Sequence, residues 1–585
     1  MNSESNQLQT TSRRLHDALR VVTDHLLAAM HPDGWWEGRL SASALSTATA
    51  VSALAVAAGS PGQAAADPLV RGGVGWLAAD QNADGGWGDT PDSPSNLPTT
   101  ALCIAAIQLA GATAETGMVI GRARRYIDAA SGGRDLADAL SGIYGRDRTF
   151  AVPILANCAL AGLVQWKNVP RLPYELAVLP HGFYRALRLH VVSYALPALI
   201  AIGLLIDARK ASLQRLRKTL RLALGSSVLG KLERMQPAGG GYLEAVPLTS
   251  FVAMTLAPLF GTAHPVAAEC IAFIRRSVRA EGSWAIDSNL SGWLTTNAVK
   301  ALAGAGQLAR VDAARTRKWI AACQWRQVHP YTKSQPGAWA WTHLPGGVPD
   351  TDDTASAILA LNALGDAAAT TGGARWLLSM QNADGGWPTF CRGWGKLPFD
   401  RSSPDLTAHA MRALNAAPQG GHGRAVARGL AYLAKAQQRN GAWVPLWFGN
   451  QAAPGQHNPV IGTAQVLAAL NDLNMGEEPA RRGARYLCEA QNADGGWGGD
   501  SGVASSIEET ALAVAALAEI HTTDARHAAA RGLRHLLEHI EDGTWLRAAP
   551  IGLYFASLWY SEKLYPVVWT LEALGAARRA GITET

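Results

Sequence analysis

Apolar residues in this chain recur at three- and four-residue intervals, in blocks about a dozen residues long, and almost never alternate. TASAILALNALGDA after Asp353, TAQVLAALNDLN from Thr463 and EETALAVAALAEI from Glu508 are such blocks. Their period is that of helices buried on a wide face. The pattern predicts an all-α protein.

Between the helical blocks one stretch returns almost unchanged. Arg71 to Gly88 reads RGGVGWLAADQNADGGWG, Gly373 to Trp387 reads GARWLLSMQNADGGW, and Arg482 to Gly498 reads RGARYLCEAQNADGGWG. Looser copies run from Arg428 to Trp443 and from Arg531 to Trp545, and degenerate ones end at Trp35, Trp284 and Trp339. In the four best copies a Gln precedes the Trp by six residues: Gln81/Trp87, Gln381/Trp387, Gln437/Trp443 and Gln491/Trp497. A fixed period of this size marks stacked supersecondary units. Each unit reads as helix, Asp-Gly-Gly turn, Trp, loop, helix, with Gly supplying positive φ. The Gln side chain is expected to bond backbone at the next helix's N-terminus and the Trp to stack on the Gln amide. Hairpins tied this way build toroids, and the length accommodates two (α/α) barrels. The expected division is an N-terminal helix (1–30) packing back on the second barrel, a first barrel (31–285) and a second barrel (286–585).

Composition narrows the function. Hydrophobic residues are 48% and charged residues 17%, which excludes a disordered chain. A net charge of +6 over 585 residues is too thin to argue for nucleic acid. Six scattered cysteines without a CxxC pair argue against a disulfide scaffold or a cysteine zinc site. Tryptophan is over-represented: 20, against 9 Phe and 12 Tyr, more than the turns consume.

One polar cluster stands out. Asp350, Asp352 and Asp353, in PDTDDTA, open an apolar helix. One Asp would cap the helix, but three acids in four residues repel one another. Crowded carboxylates share protons, so one can serve as a Brønsted acid. Asp405 and His409, in SPDLTAH, lie four apart on one helix face, where Asp405 could hold a protonated His409 against that acid.

The Q-x₃-G-x-W repeats combined with D-T-D-D-T-A resemble the squalene–hopene cyclases and related class II terpene cyclases, from about Trp35 to Pro566. The resemblance implies that Asp352 is the acid protonating a terminal alkene, that Asp350 and Asp353 support it, that His409 bonds it and that Asp405 orients His409. It places Trp293, Trp341, Phe390, Tyr554, Phe555, Trp559 and Tyr560 on the cavity wall as the substrate-binding aromatics. It also implies a hydrophobic polyprene substrate, squalene foremost, and a monotopic protein on the cytoplasmic side of the cell membrane; a homodimer is compatible with it. Such chemistry needs a dry wall of π faces, because water or a base would quench the cation. Three segments depart from the family pattern: Gln451 or a small neighbour stands where a second Trp is expected after WFG, SASALSTATA lacks an expected Glu, and the stretch around His190 lacks a Trp.

The uncharged run Leu189 to Ile206 contains His190 and Pro197 and reads as a buried helix. Asp207 to Arg234 mixes Lys and Arg with Leu at helical spacing and reads as an interfacial membrane-contact helix. No P-loop, HExxH or DDxxD run is present, so neither cofactor nor metal is expected. Three competing readings remain: cyclisation of a shorter or diphosphate-bearing prenyl chain, protein prenylation on a zinc set for which the spacing is lacking, and a non-catalytic lipid-binding toroid.

Overall fold

A computed structural model describes residues 2–582, apart from 146–147, 180–182, 184–185, 187–195, 211–226, 394, 419–421 and 555–557. The described chain is mostly helical, arranged as two rings of paired helices. In the second ring, six inner helices stand side by side: Ser291–Gly304, Thr351–Ala363, Pro404–Ala416, Pro459–Leu473, Ile507–Ala518 and Tyr565–Arg579, the last closing on the first. The first ring closes the same way through Ala44–Ala58, Leu97–Leu109, Arg148–Leu160, Leu196–Arg209 and Val246–Phe260. The N-terminal helix Asn2–Ala28 packs on the outside of the second ring, against Tyr565–Arg579 and Thr523–Asp542.

Inner and outer helices differ for a physical reason. Leu97–Leu109 is buried almost all round, and its alanines let neighbours approach. Gly423–Ala436 is amphipathic, with Val426, Gly429 and Leu433 turned inward. Each ring encloses its own apolar core.

The repeated turns bind the layers by four hydrogen bonds. The Gln amide donates to its own turn glycine and to the next outer helix: Gln381 Nε2 reaches Gly385 O and Ala425 O, both at 2.8 Å. Gln437 does the same to Gly441 O at 2.8 Å and Pro479 O at 2.9 Å. The Trp indole donates backward to its own outer helix, as Trp387 does to Leu377 O at 2.7 Å. The Trp backbone N–H donates forward to a threonine hydroxyl of the next inner helix, as Trp387 does to Thr407 at 3.0 Å. The tryptophan thus ties the layers through both its indole and its backbone N–H.

The structure also adjusts the repeat register. At the first turn, Trp36 and not Trp35 is the tie, donating to Leu26 O and to Thr295, while Trp35 stacks on Trp319 with ring centroids 5.6 Å apart. Trp36 therefore fastens the N-terminal helix to the second ring, and Trp284, bonded to Thr47, closes the first. Two copies escape the Gln–Trp spacing. Tyr242 replaces Trp beside Gln236. Gln324 reaches Gly337 O across an insertion that separates it from Trp339. A short hairpin, Gly552–Tyr554 with Leu558–Tyr560, is a strand pair that helical periodicity does not announce. Among the described residues no helix is long and apolar enough to cross a membrane. Leu196–Arg209 is the buried helix expected of the uncharged run, whose residues 189–195 lie outside the described ones.

At Gly441, φ is +96° and an added Cβ would lie 2.4 Å from Arg482 O. Gly441→Ala should therefore destabilise the protein by about 1–3 kcal/mol, as a non-Gly residue forced into that backbone region does. Gly117, in helix Ala114–Ser131 with open space around its Cα, is the converse case, and Gly117→Ala should stabilise by about 0.4–1 kcal/mol. Urea midpoints of both variants against the parent check the pair.

Candidate active site

The acid motif is an elaboration of the repeat. In three inner helices of the second ring a polar N-cap residue is followed by the tie threonine: Ser403 and Thr407, Asn458 and Thr463, Ser506 and Thr510. In helix Thr351–Ala363 these positions are Asp350 and Thr354. Asp350 accepts from Asp353 N–H at 2.8 Å, and Thr354 Oγ1 accepts from Trp339 N–H at 3.1 Å. The cap therefore accounts for Asp350, leaving Asp352 and Asp353 as added acids in the first turn.

Those acids are placed differently. Asp350 and Asp353 are buried, and Asp353 keeps one buried carboxylate oxygen without a hydrogen-bond partner among the described residues. Burial raises both pKa values, Asp353 to about 7, and Asp350 is raised further by the Asp353 charge beside it. The pair retains a proton near neutral pH. Asp352 remains partly exposed, its side chain at 20%, with Oδ1 2.5 Å from His409 Nδ1.

His409 comes from helix Pro404–Ala416, as expected, but its second partner is not Asp405. Asp405 accepts from the Ser403 hydroxyl and from Leu446 N–H. The other ring nitrogen of His409 faces Lys300 Nζ at 3.2 Å. Burial, and then the Lys300 charge, lower the His409 pKa to about 4, so the ring is neutral and not the imidazolium expected from sequence. Burial raises Asp405 to about 6, with the Asp352 charge adding to the shift.

Asp352 opens onto an apolar cavity lined from both rings. Leu45, Leu102, Phe150 and Phe251 come from the first ring and Trp293, Trp341 and Phe390 from the second. The aromatic wall is continuous. Trp341 meets Phe390 edge-on at 6.2 Å, Phe390 meets Trp447 at 5.8 Å, Trp447 meets Tyr554 at 5.8 Å, and Tyr554 meets Tyr560 at 5.0 Å. Edge-to-face packing leaves ring faces open to the cavity.

Of the seven predicted aromatics, Trp293, Trp341, Phe390, Tyr554 and Tyr560 line this cavity. Trp559 does not: its neighbours on the strand, Leu558 and Tyr560, point in, and strand alternation turns it out against Gly449. Phe555 lies outside the described residues. Trp447, Phe448, Tyr565 and Asp287 also line the cavity and were missed. Trp447 and Phe448 sit just beyond the Trp443 turn, as Phe390 does beyond Trp387, which was the available signal. Trp447 is fixed by its indole N–H on Thr389 Oγ1 at 3.0 Å. Asp287 accepts from the Tyr554 hydroxyl and is raised to about 7 by burial. Gln451, at the expected Trp position, donates to Ser93 across the rings. Leu45 of SASALSTATA faces the cavity, and His190 lies outside the described residues.

Residues 290–579 match the squalene-hopene cyclase C-terminal domain and residues 19–217 the N-terminal domain. The chain belongs to the squalene–hopene cyclase family of terpene cyclases. It is 25% identical over 642 residues to a probable squalene–hopene cyclase of Sinorhizobium fredii, covering 93% of this chain and 94% of that one. It is also 25% identical over 679 residues to enfumafungin synthase efuA of Hormonema carpetanum, covering 98% of this chain. The chain spans about half of that relative's length, 49%. Among solved structures, ent-copalyl diphosphate synthase from Streptomyces platensis shares the fold, with a TM-score of 0.60 at 18% identity over 97% of this chain and all of that one.

The buried acids make stability pH-dependent. Asp287, Asp353 and Glu509 are raised to about 7, and Glu508 and Glu562 to about 8, in each case by burial first. Between pH 6.5 and 8 the folded state therefore binds more protons than the unfolded state, and stability falls as pH rises. Buried neutral histidines such as His409 and His329, both lowered to about 4, oppose this only below their unfolded pKa of about 6.5. The melting temperature should drop from pH 6.5 to 8; a flat or rising profile there contradicts the assignment of these acids as protonated.

Proposed function

We propose that this protein cyclises a linear polyprene, squalene foremost, to a polycyclic triterpene such as hopene, with Asp352 as the general acid. One observation carries the reading: Asp352 lines the aromatic cavity and also bonds His409 at 2.5 Å. The Asp352 O–H bond breaks as the terminal alkene takes the proton, leaving a tertiary carbocation. Trp293, Trp341, Phe390, Trp447, Tyr554 and Tyr560 present π density to the charge as rings close. The apolar wall excludes water that would quench the cation. Loss of a proton, or capture of water, ends the cascade.

A neutral hydrocarbon fits the wall better than an anion. Among the described lining residues are Asp287, Asp350, Asp352 and Asp353 and no lysine or arginine. A diphosphate would meet four carboxyl groups and no counter-charge. Asp352→Asn should leave the fold intact and lower turnover of squalene by about a hundredfold or more, with products of squalene and of C15–C35 prenyl substrates identified by mass spectrometry. Full turnover by a folded Asp352→Asn protein removes Asp352 from its role; turnover of prenyl diphosphates alone replaces the substrate class.

We further propose that the protein lies on the cytoplasmic face of the cell membrane and draws its substrate from the bilayer. Supporting this, Ile143, Leu176, Phe183 and Phe260 of the first ring are exposed. The Leu- and Arg-rich stretch 211–226, the centre of the expected interfacial helix, lies outside the described residues. Leu216, Leu220 and Leu224 replaced together by Ser should release the protein from anionic vesicles in flotation, since each buried Leu contributes roughly 1.5–3 kcal/mol against about 1 kcal/mol per basic residue. Unchanged flotation excludes that helix as the anchor.

A further inference from the structure

Lys300 interrupts an apolar inner helix two turns after Trp293, in TTNAVKALAG. Its ammonium lies 3.2 Å from His409 Nε2 and 5.8 Å from the centroid of the Trp293 ring. Around it runs a second chamber along the axis of the second ring, walled by Asn297, Asp352, Arg412, Gln465, Leu512 and Glu572 from the six inner helices. Asp352 faces both chambers, so the hydrogen bond between Asp352 and His409 stands at the partition, with Lys300 behind it.

An ammonium carries three donors and no acceptor. The ring nitrogen facing it must therefore accept, and the single proton of a neutral imidazole sits on the other nitrogen. For His409 that nitrogen is Nδ1, the one bonded to Asp352. We infer that Lys300 is a positioning residue that locks His409 in the Nδ1–H tautomer, making it a hydrogen-bond donor to Asp352 and never a base toward it.

The consequence rests on Asp352 being the acid proposed above. With Oδ1 receiving the imidazole N–H, the acidic proton of Asp352 sits on Oδ2, outside the histidine bond. When that proton passes to the alkene, the carboxylate left behind already has a donor in place. In the opposite tautomer Nδ1 would accept, and the proton needed by the substrate would be drawn into the Asp–His bond. The surroundings of Lys300 hold it in its charged form at neutral pH. Burial lowers its pKa to about 8, and Arg412 on the His409 helix adds to that; Glu572 on the closing helix, with Asp352 and Asp353 on the acid helix, opposes it.

The test uses the full-length protein labelled with ¹⁵N-histidine, in parent, Lys300→Met, Lys300→Arg and His409→Phe forms, the last assigning the His409 signal. The parent should show a protonated Nδ1 and an unprotonated Nε2 at pH 7. Lys300→Met should lose that pattern, with kcat lowered about tenfold to a hundredfold and KM within about twofold. Lys300→Arg should restore the tautomer. In the parent kcat should fall on the alkaline side as Lys300, lowered to about 8 by burial, loses its proton, and Lys300→Arg should move that fall upward, because a guanidinium stays protonated. A parent with Nε2–H, or a Lys300→Met protein whose His409 keeps the parent tautomer, overturns the inference. Should the Met variant not fold, the parent spectrum and the Arg variant still decide it. The tautomer is read without substrate, so failure of the cyclase reading, seen as no turnover of any polyprene by the parent, is a separate outcome.

Discussion

The bond from a turn tryptophan's backbone N–H to a threonine hydroxyl on the next inner helix is the constraint on which this structure depends. It recurs from Trp36 and Thr295 through Trp87 and Thr100 to Trp497 and Thr510. With the indole donating backward and the Gln amide sideways, each tryptophan locks one outer helix, one turn and one inner helix at fixed spacing. Buried hydrogen bonds of this kind contribute modestly when made and cost more when broken. Their repetition makes each ring rigid enough to hold a cavity open. The same bond, from Trp339 to Thr354, sets where the acid helix starts. The acid motif is thus a repeat cap carrying two extra carboxyl groups, aimed by the scaffold's own tie.

Crowding those carboxyls against an apolar wall has two effects. Burial makes ionisation costly, so Asp350 and Asp353 keep a proton between them. It also leaves Asp352 with a histidine bond and access to the cavity, the placement on which its proposed role as acid rests. The aromatic series from Trp341 to Tyr560 answers the opposite need, a surface that stabilises positive charge without acting as a base. In the proposed reaction one site therefore sets a proton donor beside weak π acceptors.

Much of this was legible from residue order, because repetition amplifies local signals. The Gln–Trp spacing announced paired helices and ring closure, and the acidic run announced Asp352. What escaped depended on through-space placement. Lys300 is one lysine in an apolar helix, and nothing in its neighbourhood along the chain points to His409, more than a hundred positions away. Asp405 sits four residues before His409, the usual spacing for a pair, yet Ser403 and Leu446 N–H take its oxygens. Trp559 reads like its neighbours until a hairpin, invisible to helical periodicity, turns it outward. Tyr242 performs the Trp role with a hydroxyl in place of an indole N–H, so a search for tryptophan passes over it.

The step that starts the proposed reaction is transfer of a proton from a side-chain acid to carbon. Its most direct measurement is turnover of squalene in D₂O, with product analysed by mass spectrometry and NMR. A single carbon-bound deuterium is expected, delivered from exchanged Asp352 to the hydrogen-bearing carbon of the terminal alkene, which becomes a methylene of the first ring formed while the positive charge falls on the dimethyl carbon. A cyclised product with no deuterium at that position would contradict it.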